Sequence, residues 1–490
     1  MCFAVTRGEV SERTDVNHAL GAHLVATLYQ KPLYPLAPLG DLVERVQYGC
    51  SSLATSDIGG LPMLRMNNLQ NDGWDLASLK YIELPPKEAE TYRLSPGDLL
   101  FNRTNSKELV GKCEVFREME HWVFASYLIR VTLDKTKALP DFVSTFLATA
   151  AGRAQIDRVS RQIVGMSNVN AEELKALLLP LPPLDVQQAF VADMDAAREA
   201  RRDTRARADE LLSGLDGYLL EQLGLVAATE DGRQTFAVRL KEMNGKRIDA
   251  PAYRPFFAKG NPPATPTKLL REIAAIDANK NAPPLDEADL VPYVGLPECT
   301  LTEVREVAQR PYSEVKGRSV LRPGDILFAR IEPSVFNKKY VLVDDLKGYD
   351  YAYTSTEFYT VRAKPSETIQ GYLYAMFFCS FVFAQVKGKT TGSSGRRRID
   401  PELFANLQIP VPDKAVQQAI ADEVSRRRAE ARRLRQQAEQ DWAAAKARFE
   451  RRLLGGDKAM RVIARAGSHR YLLSLEDDLE KVNADVRVSD

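Results

Sequence analysis

Catalytic and metal-binding signatures are scarce in this chain. Four histidines and five cysteines serve 490 residues. The cysteines (2, 50, 113, 299, 379) lie far apart with no CxxC pair, which predicts reduced thiols in a cytoplasmic protein rather than a disulfide framework. His18 and His23 make no HExxH pattern, so no metal site is expected. No run of 18 apolar residues occurs, so no membrane span is expected. The opening MCFAVTRGEV lacks a basic stretch followed by an apolar one, so no signal peptide is expected. Charge of one sign is absent too. The net value of +1 makes any basic surface a local one.

Near-matches to enzyme motifs fail at the residue that matters. Asn261-Pro262-Pro263 is followed by Ala264, where an amino-methyltransferase needs an aromatic to stack the base, and no Gly-rich cofactor loop precedes it. Gly388-Lys389-Thr390 could end a phosphate-binding loop, but Phe383 stands where the first glycine belongs. Pro412-Asp413-Lys414 has no partner acid and lysine on a nearby strand. No Ser–His–Asp arrangement is indicated. No cofactor and no catalytic residue are expected.

What is present is a repeat. Leu94–Arg103, LSPGDLLFNR, returns as Leu321–Arg330, LRPGDILFAR, with seven of ten positions identical. Pro at i+1 and Gly at i+2 specify a type II turn, and the apolar run after it reads as a buried strand. Other landmarks keep a spacing of 230: Pro62/Pro292, Gln155/Gln385, Gly165/Gly395 and Pro180/Pro410. Pro182-x3-Val186-Gln187-Gln188-Ala189 returns as Pro412-x3-Val416-Gln417-Gln418-Ala419 at the same spacing. A period this long is a duplicated domain, not a solenoid. Hydrophobic content of 44% is ample for the cores.

Between the landmarks, Pro62–Leu69, Leu76–Ile82 and Phe124–Leu133 read as strands, and Pro140–Val159 as a helix. In the second copy Val291–Leu296 and Ala352–Val361 read as strands, and Gly371–Val386 as a helix. Asn170 with Glu173 makes a capping box, and Asp400 followed by Pro401 is another helix start. Asp185-x2-Gln188 reads as a third cap. A helix of about 40 residues follows to Leu223, ended by Gly224, and its counterpart runs from Lys414 to Leu454. Each is about 60 Å long at 1.5 Å per residue. Their apolar positions agree: Phe190/Ile420, Met194/Val424, Leu212/Trp442, Leu219/Phe449 and Leu223/Leu453. Such a stripe fits a helix pair. Gly214 and Gly217 read as a close crossing of helices, with a local kink as the plain alternative. Thr14–Tyr29 could be a helix. The tail YLLSL weakly echoes FAVRL near 236.

The remaining polar stretches hold residue types that reach phosphates and base edges. In the first copy they are Arg65, Asn67 and Asn68; Arg103-Thr104-Asn105-Ser106-Lys107; and Gln162, Ser167 and Asn168. In the second they are Arg330, Lys338, Lys339, Lys389, Thr390, Thr391, Ser393, Ser394, Arg396, Arg397 and Arg398. A solvated loop is the plain alternative for any one stretch. Matched placement in both copies favours binding.

The Gly-Asp-(Leu/Ile)-Leu-Phe-x-Arg repeat, the Pro-x-Pro…Gln-Gln approach to a long helix, and two such units in one chain resemble the specificity subunit of type I restriction-modification systems. The resemblance runs from about Pro38 to Gly456. It implies an α+β fold with two tandem, similar target recognition domains, each followed by a long helix, the helices forming an antiparallel coiled-coil spacer. The expected divisions are 1–36 extension, 37–183 first domain, 184–224 first helix, 235–412 second domain, 413–455 second helix and 456–490 tail. The implied function is non-catalytic recognition of a bipartite, asymmetric double-stranded DNA site. The implied partners are methyltransferase subunits, in two copies, with restriction motor-nuclease subunits left open. Membrane association is not implied. The second copy departs from the pattern by reading Pro412-Asp413-Lys414, and this leaves open restriction or a methylation-based phage defence. Two alternatives from other classes stand beside this: a coiled-coil adaptor gripping protein partners, and an enzyme.

Overall fold

The structure is a computed structural model. It describes residues 33–55, 59–70, 73–76, 79–107, 109–118, 120–163, 166–225, 265–277, 285–387, 389–392, 397–454, 461–464 and 471–474. Thr14–Tyr29, the Asn261-Pro262-Pro263 stretch and residues 236–250 therefore lie outside it. The chain divides into two compact units, one within Met1–Thr204 and Gln436–Asp490, the other within Arg205–Arg435.

The first unit is built on a four-stranded antiparallel sheet in the order Val43–Tyr48, Leu128–Leu133, Leu99–Asn102, Cys113–Val115. A second sheet orders Val123–Phe124, Leu61–Leu64 and Lys80–Ile82, its first pair parallel with Phe124 opposite Leu64. Leu36–Pro38 pairs with Leu178–Pro180. Phe101, Ile129, Val131, Phe142 and Phe146 are fully buried between the main sheet and the helix Pro140–Leu147. Each such side chain stabilises the fold by about 1.5–3 kcal/mol.

The second unit has its own sheet in the order Ala274–Ile276, Phe358–Ala363, Ile326–Ala329, Tyr340–Leu342. Its second sheet runs Ala308–Pro311, Leu290–Val294, Ala352–Thr354, Val320–Leu321, with Val294 opposite Thr354 in a parallel pair. Thr267–Leu269 pairs with Gln408–Pro410. The core is aromatic: Phe328 stacks on Tyr340, and Phe404 on Tyr359.

The Pro-Gly turns form as their chemistry demands. Gly97 and Gly324 take φ of +98° and +90°, a region L side chains avoid. Asp98 N–H donates to Ser95 O at 2.9 Å, and Asp325 N–H to Arg322 O at 3.0 Å, closing each turn. Each aspartate also accepts from the amide that opens its turn, Ser95 or Arg322, at 2.8 Å.

Several elements are shorter than their patterns predict. Pro140–Val159 is two helices, Pro140–Leu147 and Ala150–Val159, because Thr149 bonds Phe146 O and caps the second by accepting from Gly152 N–H. A Cβ on Gly152 would lie 2.4 Å from Phe146 O, so the glycine permits the sharp join. Gly371–Val386 likewise divides into Gln370–Met376 and Ser380–Phe383. Phe124–Leu133 breaks at Ala125-Ser126-Tyr127, where Leu128 N–H turns back to Ala125 O at 2.9 Å. Ala352–Val361 breaks at 355–357, and the strand expected at Val291–Leu296 is Leu290–Val294.

The Asn170–Glu173 capping box forms, with bonds of 2.8 and 2.9 Å, and Asp400 caps the helix that Pro401 begins. Asp185 does not cap, because its helix already starts at Leu184. That helix runs Leu184–Ser213, and Leu215–Gln222 continues it after a break at Gly214. A Cβ on Gly217 would meet nothing within 4 Å, so Gly217 marks no close crossing; one on Gly214, where the helix is interrupted for one residue, would lie 3.6 Å from Arg427 Nη1 of the second long helix. The second long helix, Lys414–Leu454, is unbroken.

The ten stripe residues divide between the two cores. In the first unit Phe190, Met194, Trp442, Phe449 and Leu453 are buried together. Phe190 and Phe449 meet edge-on with ring centroids 5.0 Å apart, and Arg201 grips Glu439 through two nitrogens at 2.7–3.2 Å. In the second unit Leu219, Leu223, Ile420 and Val424 are buried, with Leu212 packed against them. There Ala208 packs with Ala431 and Asp209 pairs with Arg435 at 2.7 Å.

Candidate nucleic-acid interface

The polar stretch after the first Gly-Asp strand does not stay a loop. Thr104–Asn105 is the edge of a three-stranded sheet with Met166–Asn168 and Arg161–Ile163. Asn168 faces Thr104 on one side and Arg161 on the other, and Ser167 lies between Asn105 and Gln162. Two stretches some 60 residues apart, each a candidate on composition alone, thus become neighbours.

Arg103 sits where the main sheet passes into this small one. Its N–H donates to Tyr127 O at 3.0 Å, and its carbonyl accepts from Val169 N–H at 2.9 Å. Its guanidinium lies over the Tyr48 ring, 4.7 Å from the centroid. Nη2 donates to Asn168 Oδ1 at 3.3 Å, and Asn168 Nδ2 donates to Thr104 Oγ1 at 3.1 Å. The Tyr48 hydroxyl accepts from Ala171 N–H at 2.9 Å, which fixes the ring under the arginine. Asn105 Oδ1 caps Ser106 N–H at 2.8 Å. Lys107 is half-buried and Ser167 buried. Tyr48, Tyr127 and Met166 expose 40–48% of their surface beside these polar groups.

The second unit builds the same frame from different side chains. Arg330 N–H donates to Glu357 O at 2.9 Å, and Arg330 O accepts from Ile399 N–H at 2.8 Å. Its guanidinium lies 4.7 Å over the ring of Tyr359, whose hydroxyl donates to Ile399 O at 2.8 Å. Arg398 bridges both Ile331 and Thr391, as Asn168 bridges Thr104 and Arg161. Arg398 Nε and Nη2 reach the two carboxylate oxygens of Glu357 at 2.9 and 2.5 Å. That bidentate pair holds the Arg398 pKa above its usual value. Arg397 Nη2 donates to Thr390 O at 3.2 Å.

Four candidates already have partners within the fold. Asn68 is buried: its Oδ1 accepts from Arg65 N–H at 3.0 Å and its Nδ2 donates to Asp75 O at 2.9 Å, so its amide holds a turn together. Lys338 donates to Phe378 O at 3.3 Å, and Lys339 to Leu296 O at 2.6 Å. Burial pulls the Lys339 pKa down. Thr390 is fully buried, bonded to Glu332. Asn68 and Thr390 are thus committed to the fold, while Lys338 and Lys339 are half-buried with one carbonyl partner each. Asn67 is exposed, Arg65 and Lys389 are half-buried, and burial lowers the Lys389 pKa. Ser393, Ser394 and Arg396 lie outside the described residues, as does the Gln162 side chain.

Sequence reasoning missed Tyr48, Tyr127, Glu357 and Tyr359. Their partners lie 24 or more residues away, and only the 230 spacing that pairs Tyr127 with Glu357 could have flagged one of them. Among the described residues no cluster of three His, Cys, Asp or Glu could hold a metal ion. Burial pushes the thiols of Cys113 and Cys299 up to about 12 and Cys379 to about 11, which leaves them protonated and poorly nucleophilic. No described helix is long and apolar enough to cross a membrane.

Residues 38–202, which hold the Arg103–Asn168 cluster, match the family model of the type I restriction modification DNA specificity domain. The match covers about a third of the chain. Over 152 residues the chain is 28% identical to a putative type I restriction enzyme MjaX specificity subunit of Methanocaldococcus jannaschii, covering 31% of this chain and 36% of that one. Over 153 residues it is 27% identical to the type I restriction enzyme EcoKI specificity subunit of Escherichia coli K12, covering 31% and 33%. The similarity thus spans about a third of these relatives' length. Among solved structures, a chain from work on assembly and conformational transition of the type I R-M system is 14% identical, with TM-score 0.43, over 86% of this chain and 96% of that one. The HsdS subunit from Thermoanaerobacter tengcongensis is 15% identical, with TM-score 0.31, over the same shares. The matched stretch carries the Gly-Asp turn, the Arg103 cluster and the first part of the long helix Leu184–Ser213.

Proposed function

We propose that the chain is a non-catalytic subunit that reads a bipartite, asymmetric site on double-stranded DNA and carries methyltransferase subunits, two copies of them, to it. The first target recognition domain spans 37–183 and the second 235–412. The helices 184–224 and 413–455 form an antiparallel coiled-coil spacer that sets the distance between half-sites. It acts in the cytoplasm, where such DNA is met. Restriction motor-nuclease subunits join in a restricting system and are absent in a methylation-based phage defence.

One observation carries the reading. Within the matched stretch, Arg103, Thr104 and Asn168 are half-buried and joined by hydrogen bonds, and the exposed Tyr48 and Tyr127 lie against Arg103. The second unit repeats the backbone frame with Arg330 and Arg398. Linking two weak readers raises affinity when both half-sites are spaced to suit them.

The test is selection from a randomised duplex pool by the full chain at low salt. The expected result is a two-part motif of fixed spacing, bound with a steep salt slope. Salt-insensitive binding with no enriched sequence would favour a protein-gripping adaptor. Methyl transfer from S-adenosylmethionine by the isolated chain would favour an enzyme.

A further inference from the structure

The two units separate what is common to both half-sites from what distinguishes them. A side chain that is identical and identically held in both units cannot tell two different half-sites apart. A side chain that differs at an equivalent place in the frame can.

Arg103 and Arg330 belong to the first kind. Each makes the same pair of backbone hydrogen bonds, to Tyr127 and Val169 or to Glu357 and Ile399. Each lies over a tyrosine, 4.7 Å from the ring centroid, although the two tyrosines stand at non-equivalent places in their own sheets: Tyr48 on Val43–Tyr48, Tyr359 on Phe358–Ala363. In both, Nε is buried without a hydrogen-bond partner. A cationic fork fixed in orientation suits a feature that every duplex offers, the phosphate oxygens.

The flanking positions belong to the second kind. Residues 127 and 357 give their carbonyls to the arginine amide, yet one is an exposed tyrosine and the other a glutamate. Residues 168 and 398 bridge the same two strands, yet one is asparagine and the other arginine. Each has its own local support: Asn168 is held by Arg103 and Thr104, and Arg398 by Glu357. Asparagine pairs with adenine N6 and N7, and arginine with guanine O6 and N7.

We propose that Asn168 and Arg398 are equivalent specificity-determining residues, one for each half-site, and that Arg103 and Arg330 are phosphate anchors common to both. This rests on the DNA-reading function proposed above. The discriminating positions then lie beside the anchors, and each half-site gains its identity from a substitution that leaves the backbone frame unchanged.

The test again uses the full chain and a randomised duplex pool. Arg330→Ala is expected to weaken binding to every duplex evenly and to reduce the salt slope by about 0.9, with base preferences intact; Arg103 also holds Asn168, so its loss would not separate the two roles. Asn168→Ala is expected to relax one base pair of one half-site, by about tenfold, and leave the other half-site unchanged. Tyr127→Glu with Asn168→Arg imports the supported pair of the second unit and should move that one position from adenine towards guanine. If an alanine variant does not fold, this double variant and Arg330→Lys, which keeps the charge and the base preferences, decide the matter. Loss of one base preference in Arg330→Ala or Arg330→Lys overturns the proposal. So does an even loss of affinity in Asn168→Ala, or an unmoved motif in the folded double variant. If the wild-type chain enriches no sequence at all, the DNA reading itself fails and takes the proposal with it, an outcome distinct from the other three.

Discussion

Gln155 and the backbone of Leu178 are joined by two hydrogen bonds, the side-chain amide donating to Leu178 O at 2.8 Å and Leu178 N–H donating to Gln155 Oε1 at 2.8 Å. Gln385 does the same with Gln408, at 2.9 and 2.8 Å. An amide side chain is the right length to complete the edge of the two-stranded ladder that Leu178–Pro180 makes with Leu36–Pro38. Gln155→Leu keeps the bulk and leaves both backbone groups unpaired, and is expected to cost about 1–3 kcal/mol. Gln385→Leu should cost less, because its site is partly open to water. Urea unfolding of the two variants measures both. Equal stability of Gln155→Leu and wild type would show that water replaces the amide at no cost.

Phe449 joins Phe142 and Phe190 in the first core, with centroids 5.7 and 5.0 Å away. Phe449→Ala is expected to destabilise that unit by about 3–5 kcal/mol, the transfer of the ring to water plus the cavity left behind. Denaturant melts followed by tryptophan fluorescence report it, since Trp442 lies in the same core. A loss below 1 kcal/mol would mean that the second long helix contributes little to this core.

Glu423 accepts from Arg426 Nε and Nη2 at 2.8 and 2.9 Å and from Arg427 Nε at 2.7 Å. The Arg426 and then the Arg427 hydrogen bonds hold its pKa at about 2, below the ordinary 4.5. A carboxyl with a depressed folded pKa binds protons more readily unfolded, so its stabilisation is present above pH 4.5 and lost as pH falls towards 2. Glu423→Gln should therefore lower Tm at pH 7, with the gap to wild type closing through that window. The effect is small, because the arginine partners are partly exposed and screened. A gap that stays constant from pH 7 to pH 3 would rule this linkage out.

Legibility in the sequence followed the range of the physics. The Pro96-Gly97 turn, the Asn170 cap and the Lys414–Leu454 helix rest on contacts within a few residues, and the chain spells them out. The join at Thr149 was hidden because apolar spacing continues across it, and the break depends on Gly152 approaching Phe146 O. For the interface, Arg103, Thr104 and Asn168 could be named from residue type, but Asn68 could not be told from them: exposed and buried asparagines look alike in sequence. Tyr48 and Glu357 were invisible because each acts through an arginine 55 or 41 residues away.

The proposed spacer makes the last prediction. In the first unit, residue numbers fall on one helix as they rise on the other: Phe190 meets Phe449, Arg198 lies over Trp442, and Arg201 meets Glu439. Segment 198–204 thus faces segment 436–442. Deleting both together removes both partners of the Arg198–Trp442 and Arg201–Glu439 contacts, so the remaining pairs, Phe190 with Phe449 among them, keep their register. Seven residues preserve the apolar face to within about 20° of drift and remove about 10 Å of rise at 1.5 Å per residue. At about 3.4 Å per base pair, the preferred gap between half-sites should shorten by about three base pairs, with both half-site sequences unchanged. Sequencing of the duplexes that the deleted chain selects from a randomised pool reads the gap directly. A folded, DNA-binding deletion variant with its gap unmoved would show that the helices do not measure the distance. A change in half-site sequence without a change in gap would place base reading, not spacing, in these segments.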